Sequence, residues 1–216
     1  MSTTSTQTAS IGSLYKGRKG TVDIIDVPTL SFLVIDGQGD PGADEFAGAV
    51  QALYSASYGA HFLLKQQFGG STHVMPLEAL WWVDDPAQQH LLAQVALGGA
   101  TMADTDRNLW RWRAMIMQPE PIDEGTVARS VERARNKHVP ALDRIRFVTW
   151  SEGRCAQTLH VGPYATEGPA IALLHTEIAA AGCRPRGRHH EIYLGDPRRS
   201  APDRLRTILR HPVELI

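Results

Sequence analysis

Two residues, Glu191 and Tyr193, have types and a spacing that could do chemistry on a small molecule. They lie in His190–Leu194, a segment rich in β-branched and aromatic residues that predicts a strand. Alternate residues of a strand share a face, so Glu191 and Tyr193 point one way and Ile192 and Leu194 the other. The apolar face should pack under a helix, which leaves the Glu–Tyr face directed at solvent or into a cavity. A surface pair and a cavity carboxylate of raised pKa beside a hydrogen-bonding phenol are both compatible with this pattern.

Four of the five tryptophans fall on two further predicted strands, Leu77–Val83 and Asn108–Met117. Alternation puts Leu80 and Trp82 on one face, with Glu78 two residues before, and it puts Trp110 and Trp112 on a shared face of the second strand. Core packing accounts for some of these rings. Each buried indole N–H needs a partner, however, and an aromatic-lined pocket with a few polar groups uses them more naturally. The candidate ligand-binding residues are therefore Glu191, Tyr193, Trp82, Trp110, Trp112, Leu80 and Glu78.

Other kinds of site are less well supported. His189 and Glu191 share a face while His190 points away, which leaves two ligands where a catalytic zinc usually has three, so we expect no metal. Neither cysteine has an evident base, and there is no Gly-x-Ser-x-Gly elbow for a nucleophilic serine. The glycine turn at 37–39 lacks the Lys-Ser/Thr of a phosphate-binding loop. We therefore expect no cofactor.

Composition narrows the class of protein. The 216 residues are 43% hydrophobic and 21% charged with a formal charge of −1, an ordinary globular balance that argues against direct nucleic-acid binding. Two cysteines and the absence of a signal-like N-terminus favour a cytoplasmic protein. No run of 18 apolar residues predicts a membrane span. The basic second half leaves an acidic protein partner open, its identity unknown.

The order of elements repeats along the chain. Each half reads strand, glycine turn, helix, strand, Asp-Pro turn, strand and proline; Leu80–Pro86 aligns with Glu191–Pro197, and Met115–Pro119 aligns with Ile208–Pro212. This predicts an α+β fold of two pseudo-symmetric β-α-β-β lobes with a ligand cleft between them. The predicted divisions are a disordered tail at 1–14, lobe one at about 15–121, a connector at about 122–140 with a helix near 125–137, and lobe two at about 141–216. Residues 87–106 are predicted to be an inserted excursion in the first lobe.

Five segments together resemble the stand-alone branch of the GyrI-like small-molecule-binding proteins, over roughly Tyr15 to Val213. The segments are Thr158–Tyr164, His189–Pro197, Thr207–Val213, Pro76–Trp82 and Met115–Pro119. The resemblance implies a duplicated SH2-like motif, as in the effector-binding domains of multidrug-responsive regulators. It also implies a ligand class of flat, lipophilic, often cationic aromatic compounds. Glu191 matches the acidic residue of such pockets, and Tyr193 matches its aromatic companion.

Three functions follow as hypotheses. The first is a stand-alone protein that sequesters such compounds, since the roughly fourteen residues before the resemblance leave no room for a helix-turn-helix. The second is a hydrolase that opens the cyclopropane ring of DNA-alkylating natural products, with Glu191 and Tyr193 as catalytic residues. There Glu191 positions or deprotonates a water, and Tyr193 polarises the substrate carbonyl. The third is a protein-interaction module of the gyrase-inhibitor kind. The residues alone do not separate them.

Overall fold

The structure is a computed structural model that describes residues 10–69, 73–96, 98–100 and 104–216. Its fold is α+β, as predicted, and its paired strands run antiparallel to one another. The helices are α1 (Ile11–Leu14), α2 (Asp44–Phe68), α3 (Pro86–Ala96), α4 (Glu124–Arg135) and α5 (Gly168–Ala180). The strands are β1 (Asp23–Gln38), β2 (Leu77–Val83), β3 (Trp110–Gln118), β4 (Arg146–Val161), β5 (Cys183–Pro185), β6 (His189–Tyr193) and β7 (Arg206–Leu215).

The chain divides into two compact units. The tryptophan unit comprises Leu30–Asp84 and Arg107–Trp150, and it contains all five tryptophans. The glutamate unit comprises the described residues up to Thr29 together with Asp85–Asp106 and Ser151–Ile216. The units and the predicted lobes divide the chain differently. The glutamate unit includes residues 15–29 and the excursion, and the tryptophan unit includes the connector helix α4 and residues 141–150.

The tryptophan unit is built on β3, which pairs with β1 on one side and β2 on the other. Helices α2 and α4 cover one face of these strands, and Leu33, Ile116 and Trp112 lie in the core beneath them. Local signals mark the ends of these elements: α2 ends at Gly69, and β3 stops just before Pro119. Asp123 caps α4, its carboxylate accepting from the Thr126 amide at 2.8 Å.

The glutamate unit is built on β7, which pairs antiparallel with β4, β5 and β6. Helix α5 packs on one face of this sheet, where Leu174 and Ile178 meet Leu209 and Val213. Ile192 lies in a separate cluster on the opposite face, with Leu159 and Ile208.

The prediction that the apolar side of β6 packs under the helix is therefore wrong. Glu191 stands opposite Leu209 and Tyr193 stands opposite Thr207, so both share the face that α5 covers. The physical reason is that β7 carries apolar residues on both of its faces, Leu209 and Val213 on one and Ile208 on the other. The alternation of β6 by itself could not indicate which of them carries the helix.

Strand β7 also runs through Pro212, where the sequence predicted its end. Pro212 stands opposite Cys155 on β4, and the Pro212 carbonyl accepts from the Arg186 amide at 2.8 Å. Proline has no N–H to donate, but its carbonyl can still be paired, and the next residue, Val213, pairs with Pro185 on β5. The strand thus changes one of its partners at the proline and continues.

Part of the predicted tail is ordered. Residues 11–14 form the short helix α1, and Leu14 is buried, with its carbonyl accepting from Arg210 Nη2 at 2.6 Å. The remaining tail residues, 1–9, lie outside the described residues. In the part of the chain that the structure describes, no helix has the length and apolarity to cross a membrane.

Candidate functional site

Glu191 lies on β6 with only 16% of its side chain exposed. His189, two residues before it on the same face, places Nε2 3.6 Å from Glu191 Oε1, which is too long for a hydrogen bond. Tyr193, two residues after it, packs edge to face against Tyr164, with the ring centroids 5.5 Å apart. The structure thus brings Glu191 and Tyr193 together on one half-buried face, with a second aromatic ring beside them.

A second carboxyl group, Glu167, lies near Glu191 and was missed as a functional residue. It occupies the N-cap position of α5. Its backbone carbonyl accepts the first hydrogen bonds of the helix, from the Ala170 amide at 2.9 Å and the Ile171 amide at 3.0 Å. The side chain makes no cap hydrogen bond and is buried. One signal could have revealed it, because glutamate is not among the residues that N-cap positions prefer.

The pKa of Glu167 is raised from an ordinary glutamate value of 4.5 to about 9. Burial is the main cause, the negative charge of Glu191 adds to it, and the Thr207 hydroxyl acts in the opposite direction. At neutral pH the pair therefore holds a proton on Glu167. A carboxylic acid and a carboxylate then lie side by side.

Buried polar atoms without a partner collect around this pair. Of the buried polar atoms near this pair in the described ranges, Glu167 Oε1, His189 Nε2 and His211 Nδ1 have no hydrogen-bond partner. Folded proteins pair the great majority of their buried polar groups, so three in one region of this unit require an explanation. A ligand, or water that a ligand displaces, would supply the missing partners.

Three histidines continue the same region. The His211 ring lies 5.3 Å from that of His175 and 6.0 Å from that of His189, between centroids. Burial and the neighbouring His189 lower the pKa of His175 to about 4, and burial with both neighbours lowers that of His211 to about 3. His175 and His211 are therefore neutral at pH 7. Among the described residues, no three His, Cys, Asp or Glu side chains are placed to hold a metal ion.

An ion network lies on the opposite face of β6. His190 Nδ1 is 3.0 Å from Glu152 Oε1, and Arg210 Nη1 is 3.3 Å from Glu152 Oε2. Arg210 also donates to Gln157 Oε1 at 2.9 and 3.0 Å. Burial acts to raise the pKa of Glu152, but His190 and Arg210 outweigh it and lower the value to about 2. The network anchors β6 to its neighbours from behind the candidate site.

In the tryptophan unit, the predicted residues divide between the two faces of the sheet. Trp112 stands opposite Trp81, and Trp110 stands opposite Val83, so Trp110 and Trp112 share a face with Trp81 rather than with Trp82. Trp112 is fully buried and packs edge to face against Phe46 of α2, with centroids 5.0 Å apart. These two rings belong to the helix-covered side, and the structure does not bring them together with Trp82.

Glu78, Leu80 and Trp82 share the other face, as alternation predicted. They stand opposite Met115, Arg113 and Arg111, respectively. Glu78 and Leu80 are buried and Trp82 is partly buried. Arg113 on this face binds Asp36 in a bidentate pair at 2.6 and 3.0 Å.

An α+β fold with a half-buried carboxylate, an aromatic companion and unpaired polar atoms is typical of a ligand-binding domain. The chain belongs to the GyrI-like family, because the GyrI-like small molecule binding domain matches residues 20–214. The resemblance inferred from its motifs is thereby confirmed.

Solved structures similar to this chain agree with that assignment. An uncharacterized conserved protein from Listeria innocua is 32% identical with a TM-score of 0.81, over 94% of this chain and 97% of that one. A hydrolase from Listeria innocua is 31% identical with a TM-score of 0.74, over 94% and 96%. The C-terminal domain of EcmrR, at 10% identity and a TM-score of 0.53 over 91% and 98%, shares the fold. No functionally curated protein matches the chain.

Proposed function

We propose that this protein binds flat, lipophilic, often cationic aromatic small molecules at the Glu191–Tyr193 face of the glutamate unit. The observation that carries the proposal is the half-buried Glu191 carboxylate among buried polar atoms that have no hydrogen-bond partner within the described ranges. A carboxylate in such a place is poorly hydrated, so an organic cation that neutralises it relieves a desolvation cost. The rings of Tyr193 and Tyr164 offer surface on which a flat cation can stack.

Residues of the tryptophan unit are proposed to contribute separately. Trp82, with Leu80 and Glu78 on its face, is a second candidate surface for ligand contact. Trp110 and Trp112 are expected to act on binding only through the packing of β3, because they lie on the helix-covered side of the sheet.

Titration with ethidium, a flat and permanently charged aromatic cation, tests the binding proposal. Glu191→Gln keeps the shape of the side chain and removes its charge, so ethidium affinity should fall about tenfold or more, which is ~1.4 kcal/mol or more. The affinity for phenanthridine, the same ring system without the charge, should fall much less. Glu177→Gln, on an exposed position of α5, is the matched control and should change neither affinity. Absence of ethidium binding, or equal losses for both ligands, would contradict the proposal.

A second function, hydrolysis, is favoured by the pairing of a carboxylate with a protonated carboxylic acid. Relatives that are 31% identical over nearly their whole length are named hydrolases, which supports the same proposal. The substrate class proposed is an electrophilic cyclopropane conjugated to a carbonyl, as in DNA-alkylating natural products. Glu191 would take a proton from water while the water oxygen bonds to a ring carbon. The ring C–C bond breaks, its electron pair passes to the carbonyl oxygen that Tyr193 polarises, and this oxygen takes a proton from solvent while Glu191 releases the proton it took from water.

Incubation with a spirocyclopropane-bearing dienone tests hydrolysis, with ring-opened product followed by chromatography. Wild-type protein should form product faster than buffer alone, and Glu191→Gln should reduce the rate by about a hundredfold or more. Tyr193→Phe should lower the rate while leaving folding intact. Product formed at the buffer rate would leave binding as the function.

A further inference from the structure

Glu167 carries a buried carboxyl group that does no structural work in its helix. Its relative exposure is 5%, and its side chain makes no cap hydrogen bond to α5. Its Oε1 atom has no hydrogen-bond partner among the residues that the structure describes. Burying an acid without compensation lowers stability, so its presence calls for a role outside the helix.

The surroundings of Glu167 connect it to the candidate site. Glu191 on β6 is close enough to raise the pKa of Glu167 by its charge, and Thr207 on β7 is its nearest hydroxyl group. Thr207 in turn pairs in register with Tyr193, the aromatic companion of Glu191. Helix α5 and both strands thus converge on one acid pair.

We propose that Glu167 is a second acid of the ligand site, which holds a proton in the free protein and releases it when an organic cation binds. This inference rests on the binding function proposed above. In the free protein the pair carries one negative charge, on Glu191. A bound cation favours a second negative charge on the pair. The O–H bond of Glu167 then breaks and its proton passes to the solvent, with no bond formed to the ligand.

The coupling has a definite sign. Because the pKa of Glu167 is raised, its carboxyl group stays neutral below about pH 9. The proton on this group therefore competes with the organic cation for the carboxylate. Cation affinity should therefore rise with pH through the range from 7 to 9 and level off above it. A single coupled proton gives a rise of up to about tenfold per pH unit.

Other titratable groups face the same region and must be separated from Glu167. His175 of α5 and His211 of β7 are already neutral in this range, because burial lowers their pKa values to about 4 and about 3. His189 of β6 lies beside Glu191 and is addressed by a His189→Gln variant. The phenols of Tyr193 and Tyr164 are addressed by Tyr193→Phe and Tyr164→Phe variants.

Calorimetric titration with ethidium at pH 7.5, in phosphate and in Tris, measures the protons released, because the two buffers differ in ionisation enthalpy. Wild-type protein should release close to one proton per ethidium, and its affinity should rise from pH 7 to 9. Glu167→Gln should release none and show a flat profile, with an affinity near that of wild type at pH 7. Glu167→Asp keeps a titratable acid and should retain part of the effect. His189→Gln should release the proton as wild type does.

A measurement without ligand gives an independent readout. At pH 7.5 the wild-type infrared spectrum should contain the carbonyl stretch of a protonated carboxylic acid, and Glu167→Gln should lack it. Ethidium binding without proton release, or with equal release in Glu167→Gln, would overturn this inference and leave the binding function standing. No ethidium binding to wild type would refute the binding function itself, while the infrared band would still report on the protonation of Glu167.

Discussion

His190 and Glu191 are neighbours in sequence, yet they point to opposite faces of β6 and serve different environments. His190 is fully buried, with Nδ1 3.0 Å from Glu152 Oε1. Glu191 faces α5 and keeps 16% of its side chain exposed. One strand therefore carries a structural ion network on one side and the candidate ligand site on the other.

Removing the central acid of that network should be costly. Glu152→Gln leaves the buried guanidinium of Arg210 without its charge partner, so we expect a loss of about 3–5 kcal/mol in the free energy of unfolding. Urea denaturation followed by circular dichroism measures it. The exposed pair between Arg184 and Glu214 is the control, and Glu214→Gln should cost less than about 1 kcal/mol. Similar small losses in both variants would mean that solvent reaches Glu152.

The same network sets the response to acid. The folded pKa of Glu152 is depressed to about 2 against an ordinary 4.5, so its contribution is present above pH 4.5 and lost as the pH falls towards 2. The depressed pKa values of His175 and His211 act in the same direction from about pH 6.5 downwards. Unfolding curves between pH 4.5 and 2.5 should show stability falling, and the part of this fall that is due to Glu152 should be absent in Glu152→Gln.

Glu167 should have the opposite effect on stability. Its folded pKa is raised, so its stabilising proton is present below pH 4.5 and is progressively lost as the pH rises through 9. Glu167→Gln should therefore be more stable than wild type at pH 8, by ~1–3 kcal/mol, and nearly equal to it at pH 4.5. Thermal unfolding at the two pH values checks this. A variant destabilised equally at both would show that the carboxyl group serves packing alone.

Gly37 reports on the placement of Trp112 in the core. A Cβ atom at Gly37 would lie 2.2 Å from Cζ2 of the Trp112 ring, far inside contact distance. Gly37→Ala should therefore destabilise the tryptophan unit by about 1–3 kcal/mol and shift its fluorescence. Gly125→Ala, inside α4 with room for a methyl group, should be neutral or stabilising. If Gly37→Ala changes neither the stability nor the fluorescence, the Trp112 ring does not lie against Gly37.

Local features of the fold were predictable from sequence, because they depend on residues near one another in the chain. The bounds of β2, the glycine end of α2 and the acidic cap of α4 all follow from periodicity and capping. Strands β1 and β4 run for 16 residues each, although exposed polar residues interrupt their apolar pattern.

Which faces come together was not predictable, because it depends on register between distant strands. The predicted repeat aligned Leu80 with Glu191, and it also aligned Ile116 with Leu209. In the structure Glu191 pairs with Leu209, but Ile116 pairs with Leu77, three residues away from Leu80. An odd offset exchanges the two faces of a strand, so the repeat could not carry facing residues over from one half to the other. Glu191 was assigned to the wrong side because the apolar residues of β6 were expected to lie under the helix. Glu167 was missed because the sequence does not show that its side chain is buried.

The back-to-back arrangement on β6 also constrains how this strand can change during evolution. Deleting or inserting one residue between His189 and Tyr193 would rotate every later side chain to the other face. The carboxylate would then enter the ion network and an imidazole would enter the ligand site, so one event would damage folding and recognition together. Homologues should therefore vary here by substitution and keep the length of the strand, while length variation collects in the turns at its ends.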